Sequence, residues 1–236
     1  ERATLERVKA MILESKAPVI HAGAGIKWGR GTASLIRLAE KLQLPITNSA
    51  GHTDVVPVDH PLYAGGVGPR GNPVATGLVR DSDLILALGT RLGFNTARFT
   101  SDIVTPRAKI VQVDIDPLAI GRYYPVALGI VGDAGAVAGA LADLVDAVPA
   151  SRAPWRARNE KFVKDRQQLW QGREEIAGRG SKPLHPETIY SELRKVAPRN
   201  ALFTIDAGTT CLQATDSLPC HTVPSLIAPL DCGNIG

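Results

Sequence analysis

Short apolar runs alternate with amphipathic segments along residues 1–150, and this alternation constrains the fold more than any other feature of the sequence. The apolar runs are rich in β-branched residues, which suits strands that are buried on both faces of a sheet. The amphipathic segments carry apolar residues at helical spacing, as at Leu35, Leu38 and Leu42. Strand–helix alternation implies right-handed crossovers and a parallel sheet. We therefore predict an α/β, Rossmann-like fold, with a parallel six-stranded sheet that has helices on both faces.

The same patterns locate the individual elements. The predicted strands are 17–25, 44–48, 83–89, 109–117, 125–131 and 201–205. The predicted helices are 4–14, 32–42, one that starts at Asn72-Pro73, 134–148 and 186–197. Residues 51–71 are rich in Gly, Pro, His and Asp, so we predict a long loop there, of a length that is usually functional or disordered.

Charge and composition divide the chain into three parts. We predict a first domain over 1–150, a basic linker over 151–182 and the beginning of a truncated second α/β unit over 183–236. The linker holds nine basic and four acidic residues, and the rest of the chain is close to neutral. A basic segment can contact nucleic acid, but a solvated connector of weak helical character explains it better, and we expect no nucleic-acid partner. The chain begins with Glu1, and we expect it to be part of something longer.

The composition also indicates the compartment. No apolar run reaches the roughly 18 residues of a membrane span, and no signal peptide is evident, so we expect no membrane partner. The three cysteines, Cys211, Cys220 and Cys232, form no CxxC pair. An odd number of unpaired thiols favours a reducing compartment, and we expect a cytoplasmic protein.

The segment KIVQVDIDP, 109–117, ends its apolar run in two acids, Asp114 and Asp116. Ligands of open α/β sheets lie beyond the carboxyl ends of the strands, where a carboxylate can accept hydrogen bonds from ribose hydroxyls. The alternative is that Asp114 caps a turn and Asp116 starts the next helix. Taken alone, the segment fits both interpretations.

Two glycine-rich strand ends add to this prediction. Gly23, Gly25 and Gly29 form a GxGxxxG pattern, and glycines at such a turn let the backbone approach a pyrophosphate. Gly89-Thr90-Arg91 follows another strand, and Arg91 is suited to pair with a phosphate or, alternatively, to make a surface ion pair. Glycine turns after strands are common, but three strand ends at one sheet edge favour a nucleotide or coenzyme crevice.

Other constellations are weaker. Gly132-Asp133-Ala134 with Asn159 resembles a GDG…N metal–diphosphate motif but lacks its second glycine, so we interpret Asp133 as a helix N-cap. Cys220-His221 with Asp231 has no nucleophile elbow, and a buried thiol beside a loop histidine is the simpler interpretation. The loop residues His52, Asp59 and His60 lack metal-ligand spacing.

Six motifs in this order resemble the middle domain of thiamine-diphosphate-dependent enzymes of the acetolactate synthase type. They are APVIHAGAGI, LPITNSAG, GGVGPRG, DSDLILALGTRLG, KIVQVDIDP and IVGDA. The later segments LHPETIYSELRKVAP, ALFTIDAGTT and LDCGNIG resemble the start of the same family's C-terminal thiamine-diphosphate domain. The resemblance implies a fragment of a 2-oxo acid carboligase or decarboxylase, a transferase or lyase, that is assembled as a homodimer or homotetramer when complete.

The resemblance also implies cofactors and contact residues. The complete enzyme would use thiamine diphosphate with Mg²⁺, and its middle domain would bind FAD, ADP or nothing. The residues that would line the nucleotide crevice are Gly23, Gly25, Gly89, Arg91, Asp114 and Asp116. Those that would lie near the thiamine coenzyme are Gly208, Thr209, Gly233 and Ile235. The Gly208-Thr209-Thr210 sequence departs from the Gly-Gln-His of acetolactate synthases, which leaves room for another carboligase or decarboxylase.

No catalytic residue or metal ligand is assigned in this chain, and we expect the polypeptide alone to be inactive. Two other hypotheses stay open. The chain can be a non-catalytic module that binds FAD, ADP or NAD, or it can bind nucleic acid through its basic segment. The 2-oxo acid itself is not specified by these residues.

Overall fold

The computed structural model describes residues 1–69, 71–146, 153–206 and 208–228. Its main sheet has six parallel strands in the order β3-β2-β1-β4-β5-β6, which confirms the predicted fold class. The strands are β1 (Pro18–Ala22), β2 (Ile46–Asn48), β3 (Tyr63–Gly66), β4 (Leu84–Leu88), β5 (Lys109–Asp114) and β6 (Leu128–Val131). The order reverses between β1 and β4, which makes their carboxyl ends the topological switch point of the sheet.

Helices cover both faces of this sheet, as predicted. They are α1 (Arg2–Glu14), α2 (Ala24–Trp28), α3 (Thr32–Leu42), α4 (Pro73–Arg80), α5 (Phe94–Ala97), α6 (Ala134–Leu144), α7 (Ala153–Ala177), α8 (Pro186–Val196) and α9 (Thr209–Ser217). The helices α1, α3 and α6 pack on one face around buried leucines such as Leu38 and Leu141. Helix α4 packs on the other face, where Leu78 and Val79 meet Phe162 of α7.

Strand β3 corrects the prediction of a continuous loop over 51–71. Its sequence, Tyr-Ala-Gly-Gly, carries no β-branched residue, so it gives no strand signal. Tertiary contacts provide what local propensity lacks. The Tyr63 hydroxyl donates to Asn48 Oδ1 at 2.7 Å, and the same hydroxyl lies 3.0 Å from Thr53 Oγ1. These contacts tie β3 to the end of β2. Strand β3 provides the sixth strand of the main sheet, whose position the sequence patterns did not give.

Helix α7 corrects the prediction of a solvated connector with weak helical character. It runs for 25 residues and packs against the first domain. The Trp155 indole is buried and donates to Ser15 O at 3.1 Å, and Arg158 donates to Pro18 O at 2.9 Å. Because arginines rather than aliphatic side chains make several of these contacts, the packing face does not show as an apolar stripe. The predicted boundaries of this segment remain a prediction.

The last part of the chain adds α8, α9 and a two-stranded parallel sheet of β7 (Phe203–Thr204) and β8 (Leu226–Ile227). Helix α8 matches its predicted range, whereas β6 and β7 are shorter than predicted and α6 ends at Leu144. Among the residues that the structure describes, no helix is both long and apolar enough to cross a membrane.

A buried ion pair joins this last part to the first domain. Lys27 Nζ, from α2, lies 3.0 Å from Asp54 Oδ2, and both side chains are almost fully buried. The same Asp54 oxygen accepts the N–H groups of Ser225 and Leu226 at 2.8 and 2.9 Å, and Lys27 Nζ donates to Leu226 O. The pair therefore holds the backbone of β8 against the segments that follow β1 and β2.

Candidate functional site

A cleft of about 730 Å³ opens at the carboxyl ends of the strands, beside the switch point between β1 and β4. Segments that follow β1, β2, β4, β5 and β6 line it, and their residues include Gly25, Ser49, Gly89, Arg91, Asp114 and Asp133. The structure therefore brings four of the six predicted crevice residues, namely Gly25, Gly89, Arg91 and Asp114, to one rim of the sheet.

The glycines let two turns pack directly on each other. The Gly25 N–H donates to Gly89 O at 2.9 Å, and Gly23 N donates to Leu88 O at 3.1 Å. A Cβ at Gly25 would lie 2.6 Å from the Gly89 Cα, and one at Gly23 would lie 2.6 Å from the Gly89 oxygen. Gly89 itself has φ +61°, which L side chains rarely adopt. Gly23 thus packs against the Gly89 turn, and Gly25 and Gly89 present bare backbone to the cleft.

The two acids after β5 have different surroundings. Asp114 is nearly buried in the cleft wall, and its Oδ1 accepts the Asp116 N–H at 3.0 Å. Asp116 is exposed, does not line the cleft, and caps the 3₁₀ turn Pro117–Ala119 by accepting the Leu118 N–H at 2.9 Å. The turn-capping interpretation of both acids is therefore correct, and only Asp114 also faces the crevice.

Asp133 caps α6 as predicted, accepting the Ala136 N–H at 2.7 Å. It also lines the cleft, which the sequence interpretation did not anticipate. Among the lining residues that the structure describes, Arg91 is the single Lys or Arg, and Asp114 and Asp133 are the acids. The cleft is thus polarised, with a cation near the β4 turn and carboxylates at the ends of β5 and β6.

An aromatic rim was also missed by the sequence interpretation. Phe99 stacks on Tyr123 with ring centroids 4.5 Å apart and meets Phe94 edge-on at 5.7 Å. Trp28 lines the same cleft and is 58% exposed, and Phe94 and Phe99 are about half exposed. Solvent-facing aromatic side chains around a cleft are suited to stack on a planar ring system. The available signal was that these aromatic residues all lie within six to eleven positions after the end of a strand.

Beneath the cleft lies a buried polar chain. His21 is fully buried on β1, with Nδ1 3.0 Å from Thr47 Oγ1 and Nε2 3.1 Å from Ser49 Oγ. Ser49 Oγ lies 2.7 Å from Thr90 Oγ1, and both residues line the cleft. Burial, with a smaller contribution from His52, lowers the pKa of His21 to about 3, so this imidazole is neutral.

The remaining predicted residues lie elsewhere. Gly208 is the N-cap of α9 and is exposed with Thr209, away from the cleft, whereas Gly233 and Ile235 fall outside the described residues. Asn159 is buried and donates to Gln43 O. Within the described part of the chain, no group of three or more His, Cys, Asp or Glu could hold a metal ion.

Cys220 is a buried thiol, as predicted, and burial raises its pKa to about 11. A thiol of raised pKa is a poor nucleophile at neutral pH. His221 Nδ1 lies 3.5 Å from Asp59 Oδ2, and Asp231 falls outside the described residues.

The sequence model of the thiamine pyrophosphate enzyme central domain matches residues 5–141. The chain belongs to the thiamine pyrophosphate enzyme family. This confirms the family resemblance on which the sequence interpretation relied.

Curated relatives agree with this family. The chain is 30% identical over 251 residues to a sulfoacetaldehyde acetyltransferase of Castellaniella defragrans, covering 99% of this chain and 42% of the relative. It is 34% identical to one of Rhodobacter capsulatus, covering 88% and 38%, and 31% identical to a probable acetolactate synthase large subunit of Methanocaldococcus jannaschii, covering 86% and 34%. The chain spans about two fifths of the length of the curated relatives it matches.

Proposed function

We propose that this chain supplies the central domain, and the edge of the thiamine-diphosphate domain, of a thiamine-diphosphate-dependent carboligase that takes a 2-oxo acid. We further propose that the cleft binds an adenine nucleotide, FAD or ADP. The observation that carries the proposal is the convergence of Gly25, Gly89, Arg91 and Asp114 on one cleft at the switch point of a family central domain. The same proposal includes Mg²⁺ as a cofactor of the complete enzyme, its assembly as a homodimer or homotetramer, and a cytoplasmic location.

The polarity of the cleft supports one orientation of a nucleotide. Phosphates would lie where bare backbone at Gly25 and Gly89 meets the Arg91 guanidinium, which suits a phosphate through charge-assisted hydrogen bonds. Ribose hydroxyls would donate to the carboxylates of Asp114 and Asp133, which would repel phosphate. The aromatic rim would cover the base. Asp116 has no part in this arrangement because it caps an exposed turn.

At the thiamine coenzyme, this chain would contribute only peripheral contacts. Gly208 has φ +139° and no neighbour within 4 Å of an added Cβ, so open backbone at the start of α9 fits a diphosphate contact, with Thr209 beside it. Gly233 and Ile235 would complete these contacts. Thiamine diphosphate, when bound, supplies the electron sink for carbanion chemistry, and the protein positions the reactants.

Two observations favour acyl transfer over simple decarboxylation. The relatives that match 99% of this chain are named sulfoacetaldehyde acetyltransferase. In addition, Gly208-Thr209-Thr210 differs from the Gly-Gln-His of acetolactate synthases. A transferase that joins a two-carbon unit to an acceptor other than a second 2-oxo acid is therefore the second candidate, beside acetolactate synthesis.

The proposal is tested by assaying a protein of the relatives' length that contains this chain. With thiamine diphosphate and Mg²⁺, we expect consumption of pyruvate or of sulfoacetaldehyde. The 236-residue chain alone should show neither activity. Absence of both activities in the longer protein, with nucleotide still bound in the cleft, would support a non-catalytic binding module instead.

A thermal-shift measurement with FAD and ADP tests the cleft itself. Either ligand should raise the melting temperature, because binding to the folded state alone stabilises that state. A yellow colour after purification would indicate FAD. No shift with either ligand at millimolar concentration would refute the nucleotide part of the proposal.

A further inference from the structure

The polar chain under the cleft has only one consistent arrangement of hydrogen-bond protons. Thr47 Oγ1 donates to Ile20 O at 2.9 Å, so its single proton is committed there. Its contact with His21 Nδ1 at 3.0 Å therefore requires the imidazole to donate, which places the histidine proton on Nδ1. Nε2 is left as an acceptor, and it takes the Ser49 hydroxyl proton across 3.1 Å.

The other end of the chain is fixed by the backbone. The Leu92 N–H donates to Thr90 Oγ1 at 3.2 Å, which makes that oxygen an acceptor. Since Ser49 has already given its proton to His21, the 2.7 Å contact between the two hydroxyls is a donation from Thr90 to Ser49. Every hydroxyl proton of Ser49 and Thr90 therefore points along the chain and none points into the cleft.

This arrangement decides what the hydroxyls can offer a ligand. Each oxygen keeps one unused lone pair, and both residues line the cleft. Phosphate oxygens are acceptors, so they gain nothing from this part of the floor. A ligand N–H or O–H, in contrast, finds two acceptors there. The strong burial of His21 keeps the imidazole neutral, so the direction of the chain does not reverse at neutral pH.

We propose that His21 is a specificity-determining residue of the cleft, because it holds the Ser49 and Thr90 protons inward so that the floor selects ligand groups that donate hydrogen bonds. This inference rests on the proposed nucleotide cleft and deepens it. The floor lies between β2 and β4, beyond the Arg91 turn from Asp114 and Asp133. With its phosphates at Arg91, a dinucleotide such as FAD would extend a second half with hydroxyl and imide donors toward this floor, whereas ADP would end at its phosphates.

The proton arrangement can be tested without any ligand. Long-range ¹⁵N–¹H NMR of the protein labelled at histidine should show His21 as the neutral Nδ1–H tautomer at pH 7. A proton on Nε2 would overturn the inference, because the Ser49 proton would then be free to face the cleft.

Binding of FAD and ADP tests the selection. Ser49→Ala should weaken the binding of FAD about two- to tenfold, which is the contribution of one ordinary hydrogen bond. The affinity for ADP should stay within about twofold of the unmodified protein. The control Ser82→Ala removes a buried hydroxyl that bonds Val79 O before β4, and should change neither affinity. His21→Leu, if folded, should lower the preference for FAD in the same direction, with no further effect in a Ser49→Ala background.

Equal weakening of FAD and ADP by Ser49→Ala, or no change in either, would overturn the selection. If neither ligand binds the unmodified protein, the nucleotide cleft and the ligand selection both fail, and the imidazole spectrum still decides the proton arrangement. A nucleotide cleft that depends on Arg91 but not on Ser49 would keep the proposed function and refute this inference.

Discussion

Replacing Lys27 by Met should destabilise the protein far more than removal of an ordinary surface charge. Lys27 and Asp54 have side chains that are 1% and 0% exposed, with 3.0 Å between Nζ and Oδ2. Removing one partner of a buried pair leaves an uncompensated charge and costs about 3–5 kcal/mol. Asp54 Oδ1 has no hydrogen-bond partner among the described residues, so without Lys27 the carboxylate keeps only the Ser225 and Leu226 N–H groups at Oδ2. For a chain of this size the loss corresponds to a fall in melting temperature of roughly 6–20 °C.

A second variant separates charge burial from lost packing. Lys27→Met with Asp54→Asn removes both charges but keeps an amide oxygen that can accept the Ser225 and Leu226 N–H groups. We expect it to recover about 1–3 kcal/mol relative to Lys27→Met alone, because the buried carboxylate is gone. Urea unfolding followed by circular dichroism measures the free energies, and amide exchange at Ser225 and Leu226 reports the docking of β8.

The exposed pair Lys161–Asp165 provides the matched control. These side chains are 75% and 38% exposed and lie one turn apart on α7. Lys161→Met should change the free energy of unfolding by no more than about 0.5 kcal/mol. A Lys27→Met cost as small as this, or a double variant no more stable than the single one, would refute the reasoning about the buried pair.

Two further predictions concern Gly25 at the carboxyl edge of the sheet and Asp83 at its amino edge. Gly25→Ala should lower the free energy of unfolding by about 1–3 kcal/mol, because its Cβ would lie 2.6 Å from the Gly89 Cα. The control Gly132→Ala places its Cβ within 4 Å of no atom and should leave the melting temperature unchanged. The Asp83 carboxylate, although burial raises its pKa, has a net lowered pKa through bonds from the Ser15 hydroxyl and two backbone N–H groups. The stabilisation by Asp83 is fully present above the pKa that its carboxyl has in the unfolded chain. It is lost as the pH falls through the lower pKa of this carboxyl in the folded protein. Asp83→Asn should therefore lower the urea midpoint at pH 7 and reduce its decline between pH 4 and pH 2.

Periodicity predicted the parts of the fold whose residues carry their own signal. The β-branched run before Asp114 and the leucine spacing of α3 both correspond to observed elements. Strand β3 carries no such signal, because contacts of the Tyr63 hydroxyl with Asn48 and Thr53, 15 and 10 positions earlier in the chain, hold it in the sheet. Helix α7 was misjudged for a similar reason. Its arginines bond to backbone carbonyls of the first domain, which a hydrophobicity pattern does not register.

The candidate site followed the same division. Strand ends with Gly25, Gly89 and Asp114 were predictable because parallel strands share one carboxyl edge. Whether Ser49 and Asp133 line the cleft depended on which strands are neighbours. That strand order is a property of the whole fold. Asp116 lies only two positions after Asp114, so the sequence alone did not show that it stays out of the cleft. That outcome depends on the direction of its side chain. The pairing of Lys27 with Asp54 had no local signal.

Calorimetric titration with ADP tests the central claim most directly, namely that Arg91 and the glycine turns form a phosphate site. Wild-type protein should bind ADP, and Arg91→Met should weaken binding about ten- to a hundredfold, the worth of a charge-assisted hydrogen bond. Arg107→Met is the matched control, because Arg107 is an exposed arginine that bonds Arg80 O at the opposite edge of the sheet, and it should leave the affinity unchanged. Equal affinities for all three proteins, or no binding of ADP by any of them, would contradict the account.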